Sequence, residues 1–125
     1  MCLKELESIM DDNQHVHFPI EIRFSKEEDL SYLSPAYQRQ TCWINTVSYR
    51  PYGKTHCEHR AFFHRFESIC AKYRGRPHWA KEHPLKYDDF QGLYPQWQDF
   101  HRQRREFDPN GLLVNDCLKD IFFSC

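Results

Sequence analysis

A chain of 125 residues makes one domain or part of one, and buries roughly two thirds of the surface that its unfolded form exposes. Its net charge of −1, with 28% of residues charged, excludes a general electrostatic attraction to nucleic acid or anionic lipid. Aromatic side chains make up 16% of a chain of low mean hydropathy, so a few large anchors carry the core, and some call for cover from another domain.

Leu3, Leu6, Ile9 and Met10 recur at helical spacing and predict a short amphipathic helix over residues 2–12, broken by Asp11-Asp12-Asn13. From Pro19 to Phe24, the apolar Ile20, Ile22 and Phe24 alternate with Glu21 and Arg23, which is the period of a strand. Residues 25–40 are charged, contain a proline and read as a long loop. Thr41 to Tyr49 is β-branched and aromatic and predicts a second strand, closed by Pro51 and Gly53. From Glu58 to Tyr73, the side chains of Phe62, Phe66, Ile69, Cys70 and Tyr73 share one helical face. Gly75 then suits the left-handed position that ends a helix, and Pro77 blocks its continuation.

Asp88 or Asp89 is placed to cap the next helix, whose apolar face carries Phe90, Leu93, Tyr94, Trp97, Phe100 and Phe107. Pro95 inside that pattern predicts a kink or break near Tyr94. Asp108-Pro109-Asn110-Gly111 has the preferences of a type I turn, and Asn115 caps a last helix through Leu118, Ile121 and Phe122. The fold class is therefore α+β, with two strands and four or five helices. Two strands make a poor sheet alone, so the sheet needs completing from outside this chain.

No apolar run reaches the length that crosses a bilayer, and the N-terminus lacks the apolar core of a signal peptide. Six cysteines at positions 2, 42, 57, 70, 117 and 125 show no Cys-x-x-Cys pair, and free thiols are the expectation. His56, Cys57 and His59 with His64, and His78 with His83, lack the paired spacing of a structural zinc site, so no metal is expected. Arg102, Arg104 and Arg105 form a basic run near Trp97 and Phe100 that reads as a solvated helix face, with no nucleic-acid partner. Gly53, Gly75, Gly92 and Gly111 each stand alone, so no glycine-rich loop is present to cradle a pyrophosphate.

The stretch Gly75-Arg76-Pro77-His78-Trp79-Ala80-Lys81 sets an ammonium group two residues past a tryptophan in a stiff turn. By itself that is a loop whose Trp plugs the core and whose Lys is solvated. It resembles, however, the His-Trp-x-Lys signature of the aldonolactone oxidases, flavoenzymes of the vanillyl-alcohol oxidase class, and in particular their animal gulonolactone-oxidising branch. Three further blocks match in order: Pro19 to Phe24, Ser34-Pro35-Ala36-Tyr37-Gln38-Arg39, and Tyr49-Arg50-Pro51-Tyr52-Gly53-Lys54. The tail Phe107 to Gly111 followed by Asn115 fits as well, so the similarity runs from about His17 to Phe123.

The resemblance implies an α+β piece of a larger two-domain FAD-linked oxidase: residues 1–125 as its C-terminal substrate (cap) region, the two strands completing a cap-domain antiparallel sheet. The FAD-binding domain is absent from this chain, and with it most of the cofactor's contacts. The implied reaction oxidises an aldono-1,4-lactone, of the gulono or arabinono type, with O2 as acceptor, in the making of ascorbate or an analogue. The implied place is the endoplasmic reticulum membrane. A related alditol oxidase or lactone dehydrogenase, or a truncated interaction module without catalysis, are the alternatives.

Glu21 and Arg23 stand two apart on a strand and share a face. Alone they read as a solvated, self-neutralising pair. The resemblance carries the catalytic roles onto Glu21, Arg23 and Lys81, converging near flavin and substrate. Hydride transfer to a flavin leaves negative charge on the ring, which fixed cations such as Arg23 and Lys81 stabilise in a dry site. Glu21 would orient the sugar hydroxyl and help take its proton. Asn45 is a weaker substrate-binding candidate and His78 a weaker cofactor-binding one; an amide satisfied in the sheet and a histidine packed in the turn are their plainer readings.

Overall fold

The structure, a computed structural model, describes residues 2–11, 17–47 and 57–123. Among these residues it is α+β, with a two-stranded antiparallel sheet and five helices. In chain order they are α1 (Cys2–Asp11), β1 (His17–Ser25), β2 (Thr41–Val47), α2 (Cys57–Lys72), α3 (Tyr87–Leu93), α4 (Trp97–Phe107) and α5 (Asp116–Phe122). The block 49–54 and His56 lie outside the described residues. No helix among the described residues is long and apolar enough to cross a membrane. The chain divides into two compact units, one built from residues 1–25 and 42–76, the other from 26–41 and 77–125.

In the first unit α1 packs on α2. Leu6 and Ile9, three apart on α1, meet Phe62 of α2 in a buried cluster, and Met10, Phe63, Phe66, Ile69 and Ile44 of β2 pack around it. Beside the cluster, the Glu5 carboxylate accepts from Lys72 Nζ at 2.8 and 3.0 Å and from the Tyr73 hydroxyl. Those bonds, Lys72 first, hold its carboxyl below the usual range. Tyr73 lies past the helix end and is spent on Glu5 rather than on the apolar face.

The end of α2 corrects one expectation. The left-handed residue is Arg74, at φ +55, while Gly75 follows it. Gly75 N donates to Cys70 O at 2.8 Å and Arg74 N to Ala71 O at 2.8 Å, the paired bonds of a Schellman motif shifted by one residue. Gly75 is needed for proximity instead: a Cβ there would stand 2.9 Å from Cys70 O and 3.1 Å from Cys70 Cβ. Gly75→Ala is expected to cost about 1–3 kcal/mol through that overpacking. Urea unfolding checks it, and a midpoint equal to the parent's would refute the steric account.

The second unit is organised by rings. Phe90, Tyr94, Trp97 and Ile121 are buried together, with Leu33, Trp79, Leu85, Tyr87, Leu93, Leu118 and Phe122 packed on them. Pro95 breaks the helical pattern as expected. Tyr94 before it is extended, at φ −111 and ψ 113, so α3 stops and α4 starts at Trp97. Capping of α3 differs from expectation: Asp89 sits inside the first turn and accepts from Lys86 N at 2.9 Å. Asn115 caps α5, accepting from Leu118 N at 2.9 Å.

Phe107 is also corrected, being 82% exposed rather than on the apolar face. Asp108 is drawn inward in its place. Its carboxylate accepts from Leu112 N at 2.7 Å and Leu113 N at 3.0 Å, and Gly111 turns the chain at φ +67. The turn therefore shows Phe107, Leu112 and Leu113 to solvent.

His101 on α4 is 2% exposed among Trp97, Phe100, Phe122 and Tyr87. Arg104 Nε donates to its Nδ1 at 3.4 Å, which requires the neutral ring. Burial first, then Arg104 and Arg105, push its pKa down to about 4. The unfolded chain binds this proton below about pH 6.5 and the folded one does not. Stability is therefore intact above that pH and falls on acidification toward pH 4, by up to roughly 3 kcal/mol. Chemical unfolding at pH 7 and 4.5 checks this, with His101→Phe expected to lose the part of the slope due to this ring.

Candidate functional site

The candidate residues fall into two sets, one in each unit. Glu21, Arg23 and Asn45 belong to the sheet of the first. Side chains alternate along a strand, so Glu21, Arg23 and Ser25 share a face of β1, and Trp43 and Asn45 share a face of β2. Trp43 Nε1 donates to Ser25 Oγ at 2.9 Å, which makes these the same face of the sheet. Ile44, on the reverse side, packs into the cluster of α1 and α2. The structure thus gathers Glu21, Arg23 and Asn45 on the side turned away from that helical cluster.

On this face Arg23 Nη2 and Glu21 Oε1 form an ion pair, with the guanidinium side chain 72% exposed. Asn45 is exposed. An exposed pair of this kind contributes little to stability, about 0–1 kcal/mol, so its removal tests chemistry rather than folding. Donors and acceptors side by side on an open face fit the vicinal hydroxyls and ring oxygens of a polyol. The other face of β1 leaves Ile22 exposed and Phe24 79% exposed.

Lys81 and His78 belong to the turn that leads into the second unit's core. Trp79 anchors it. Its indole stacks on Phe90 with centroids 4.9 Å apart and planes 16° off parallel, and its Nε1 donates to Leu33 O at 2.7 Å. Lys81 N donates to His78 O at 2.9 Å, and Ala80 N donates to His78 Nδ1 at 3.1 Å, which closes the turn. His78 and Lys81 are both exposed, and the Lys81 side chain makes no ion pair among the described residues. The turn thus offers an exposed ammonium group, with no ion pair among the described residues, on a backbone fixed by a half-buried indole.

Leu33 O has a positioning role that no sequence pattern marks, since a main-chain carbonyl carries no residue signature. Glu28 shapes the loop that brings it there. Its carboxylate accepts from Leu30 N at 2.9 Å and Ser31 N at 3.1 Å, and its pKa lies below the usual range, with a bond from Ser34 as the largest cause. The basic run on α4 is partly used within the fold. Arg102 pairs with Asp99 at 2.7 Å, and the Arg104 guanidinium lies 4.8 Å from the Phe123 ring centre. Among the described residues no three His, Cys, Asp or Glu side chains converge as a metal ion requires.

Comparison with known proteins gives a consistent result. Residues 1–121 match the D-arabinono-1,4-lactone oxidase family. The chain is 41% identical over 124 residues to L-gulonolactone oxidase of Scyliorhinus torazame, covering 98% of this chain and 28% of that protein. The Bos taurus L-gulonolactone oxidase is 39% identical over the same shares. The L-gulono-1,4-lactone dehydrogenase of Mycobacterium tuberculosis is 40% identical over 106 residues, 85% of this chain and 23% of that protein. The chain thus spans between about a fifth and a third of the length of these relatives.

Proposed function

Since the chain belongs to the D-arabinono-1,4-lactone oxidase family, we propose that it is the C-terminal, substrate-side part of an FAD-dependent enzyme oxidising an aldono-1,4-lactone with O2. The observation that carries this reading is the family match over residues 1–121, with Lys81 presented by the Trp79 turn inside it. Bound FAD supplies the two-electron acceptor. The chain's own residues fit only part of that cofactor. Gly75 closes a helix end, Gly92 and Gly111 stand in open space, and no run of glycines forms a pyrophosphate cradle. Arg23 and Lys81, as exposed cations, suit the electron-rich ring or a lactone oxygen. Glu21 orients the sugar hydroxyl and accepts its proton, and Asn45 adds a bond on the same face.

The larger two-domain context is part of the proposal. A two-stranded sheet with Ile22 and Phe24 open supports it, as does the exposed trio Phe107, Leu112 and Leu113. Both need cover that a flavin-binding domain would provide. Location at the endoplasmic reticulum membrane is likewise part of the proposal, by resemblance alone. A dehydrogenase using an acceptor other than O2 is the second reading, favoured by the 40% identity to the Mycobacterium tuberculosis enzyme.

The test is a graft. This chain replaces the matching segment of the Scyliorhinus torazame enzyme, and the product is assayed for flavin reduction by L-gulono-1,4-lactone and D-arabinono-1,4-lactone. Reduction by either supports the reading, and O2 uptake against dye reduction separates oxidase from dehydrogenase. A folded, flavin-loaded graft that neither lactone reduces would instead mark an interaction module.

A further inference from the structure

The loop of residues 28–38 is closed at its neck by Glu28. Glu28 N donates to Ala36 O at 3.2 Å and Gln38 N to Glu28 O at 2.8 Å, and a parallel bridge joins Glu28 to Tyr37. Inside the loop, the Glu28 side chain takes up two further amides, those of Leu30 and Ser31, both on Oε2. Two turns follow, with Ser34 N donating to Ser31 O at 2.9 Å and Tyr37 N to Ser34 O at 3.0 Å. Leu33 stands within the first of them. Its side chain packs on the cluster of Phe90, Tyr94 and Trp97, and its carbonyl receives the Trp79 indole at 2.7 Å. Apolar packing is non-directional and fixes where Leu33 sits, whereas the direction of its carbonyl is set by the turns around it. The same division holds at Trp79. Stacking on Phe90 leaves the indole free to slide and turn in its plane, and the directional Nε1 bond removes that freedom.

We propose that Glu28 is a positioning residue of the oxidation: it holds the Leu33 carbonyl on the Trp79 indole and thereby sets where the Lys81 ammonium group stands. This rests on the role of Lys81 in the function proposed above. Lys81 follows Trp79 by two residues, and its amide closes the turn on His78 O at 2.9 Å, so a shift of the ring carries the lysine with it. A displacement of about 1 Å, at a charge that must meet a flavin or lactone oxygen, costs up to roughly 10²-fold in rate. Glu28 acts here as an acceptor of main-chain amides and not through its charge. A glutamine carbonyl in the place of Oε2 has the two lone pairs needed to accept from both Leu30 N and Ser31 N, and an alanine has none.

Two measurements on the same variants test this. In the 125-residue chain, hydrogen exchange of the Trp79 indole N–H is followed by NMR. Glu28→Ala is expected to speed that exchange about tenfold, the scale of one weakened hydrogen bond, and Glu28→Gln to stay within about threefold of the parent. The indole of Trp97, buried in the core, is expected to exchange as in the parent in both variants, which shows that the unit stays folded. In the graft, Glu28→Ala is expected to slow flavin reduction by an aldonolactone about tenfold and Glu28→Gln to restore most of the rate. Added to Lys81→Met, Glu28→Ala is expected to slow the reaction no further, because both act through one group. Unchanged Trp79 exchange in Glu28→Ala, a glutamine variant as impaired as the alanine one, or equal slowing with and without Lys81 would each overturn the proposal. A graft whose rate ignores Lys81→Met overturns it together with the role of Lys81. Faster Trp79 exchange in Glu28→Ala, which needs no turnover, then marks that failure as one of the proposed function and not of the loop.

Discussion

Lys81→Met in the grafted enzyme is expected to slow flavin reduction by an aldonolactone about 10²–10³-fold, or roughly 3–4 kcal/mol, the magnitude found for other preorganised donors. Methionine keeps much of the stem's length and apolar character, and the turn is held by Trp79 rather than by the ammonium group. The fold should therefore survive. Lys81 is exposed and makes no ion pair among the described residues, so its deletion leaves no buried partner stranded. Loss of rate then reports charge stabilisation alone. Anaerobic stopped-flow reduction isolates that step from the reaction with O2. A variant reduced within about threefold of the parent leaves less than 1 kcal/mol for this residue and removes its catalytic role. Glu21→Gln and Arg23→Met are expected to be damaging too. Their mutual ion pair is exposed, so neither should shift the unfolding midpoint by more than about 0.5 kcal/mol.

Trp97→Ala is expected to be the most destabilising single change in the second unit, at about 3–5 kcal/mol. Trp97 is buried and stacks on Phe90 with centroids 5.8 Å apart and planes 15° off parallel. It also meets Tyr87, Phe122 and His101, the last at 4.6 Å. Rings on α3, α4 and α5 all lose their neighbour together, and flat stacked surfaces collapse poorly into the hole. Set against a typical total of about 5–15 kcal/mol, this is a large share. The indole Nε1 is buried with no hydrogen-bond partner among the described residues, so part of its desolvation cost is recovered on removal. Urea unfolding with an unchanged slope measures the difference, and Phe24→Ser is the control, expected within about 0.5 kcal/mol. A Trp97→Ala midpoint no lower than that control's would refute the ring-centred core.

Much of this was legible from spacing. The strand carrying Glu21 and Arg23, the break at Pro95, the cap at Asn115 and the turn through Gly111 follow from residue types whose backbone preferences are local. Misplaced features are those decided by atoms distant in sequence. Gly75 looked like a helix stop by conformation. Its reason is the nearby Cys70 carbonyl, and Arg74 bears the left-handed angle. Phe107 fitted the helical period, but Asp108 takes the inward place because the amides of Leu112 and Leu113 arrive to bind it. Nor does the sequence hint that Leu33 O would seat the indole of Trp79, 46 positions away. For the candidate site, residue identity is local and legible. That Asn45 shares a face with Arg23 needed the Trp43 to Ser25 bond.

The interleaving of the two units has a consequence for synthesis. A ribosome completes every residue of the first unit at Arg76, but the second, begun at Lys26, only with the C-terminal segment. Residues 26–41 therefore emerge early and wait for their partners, Leu33 O for the indole of Trp79 among them. Such a waiting segment is where a nascent chain exposes apolar surface. A stop codon soon after Arg76 would spare one unit's residues and strand the other's first piece, so early and late truncations of this gene should differ in kind: one leaves a complete unit with a dangling loop, the other leaves a unit missing only its last helix.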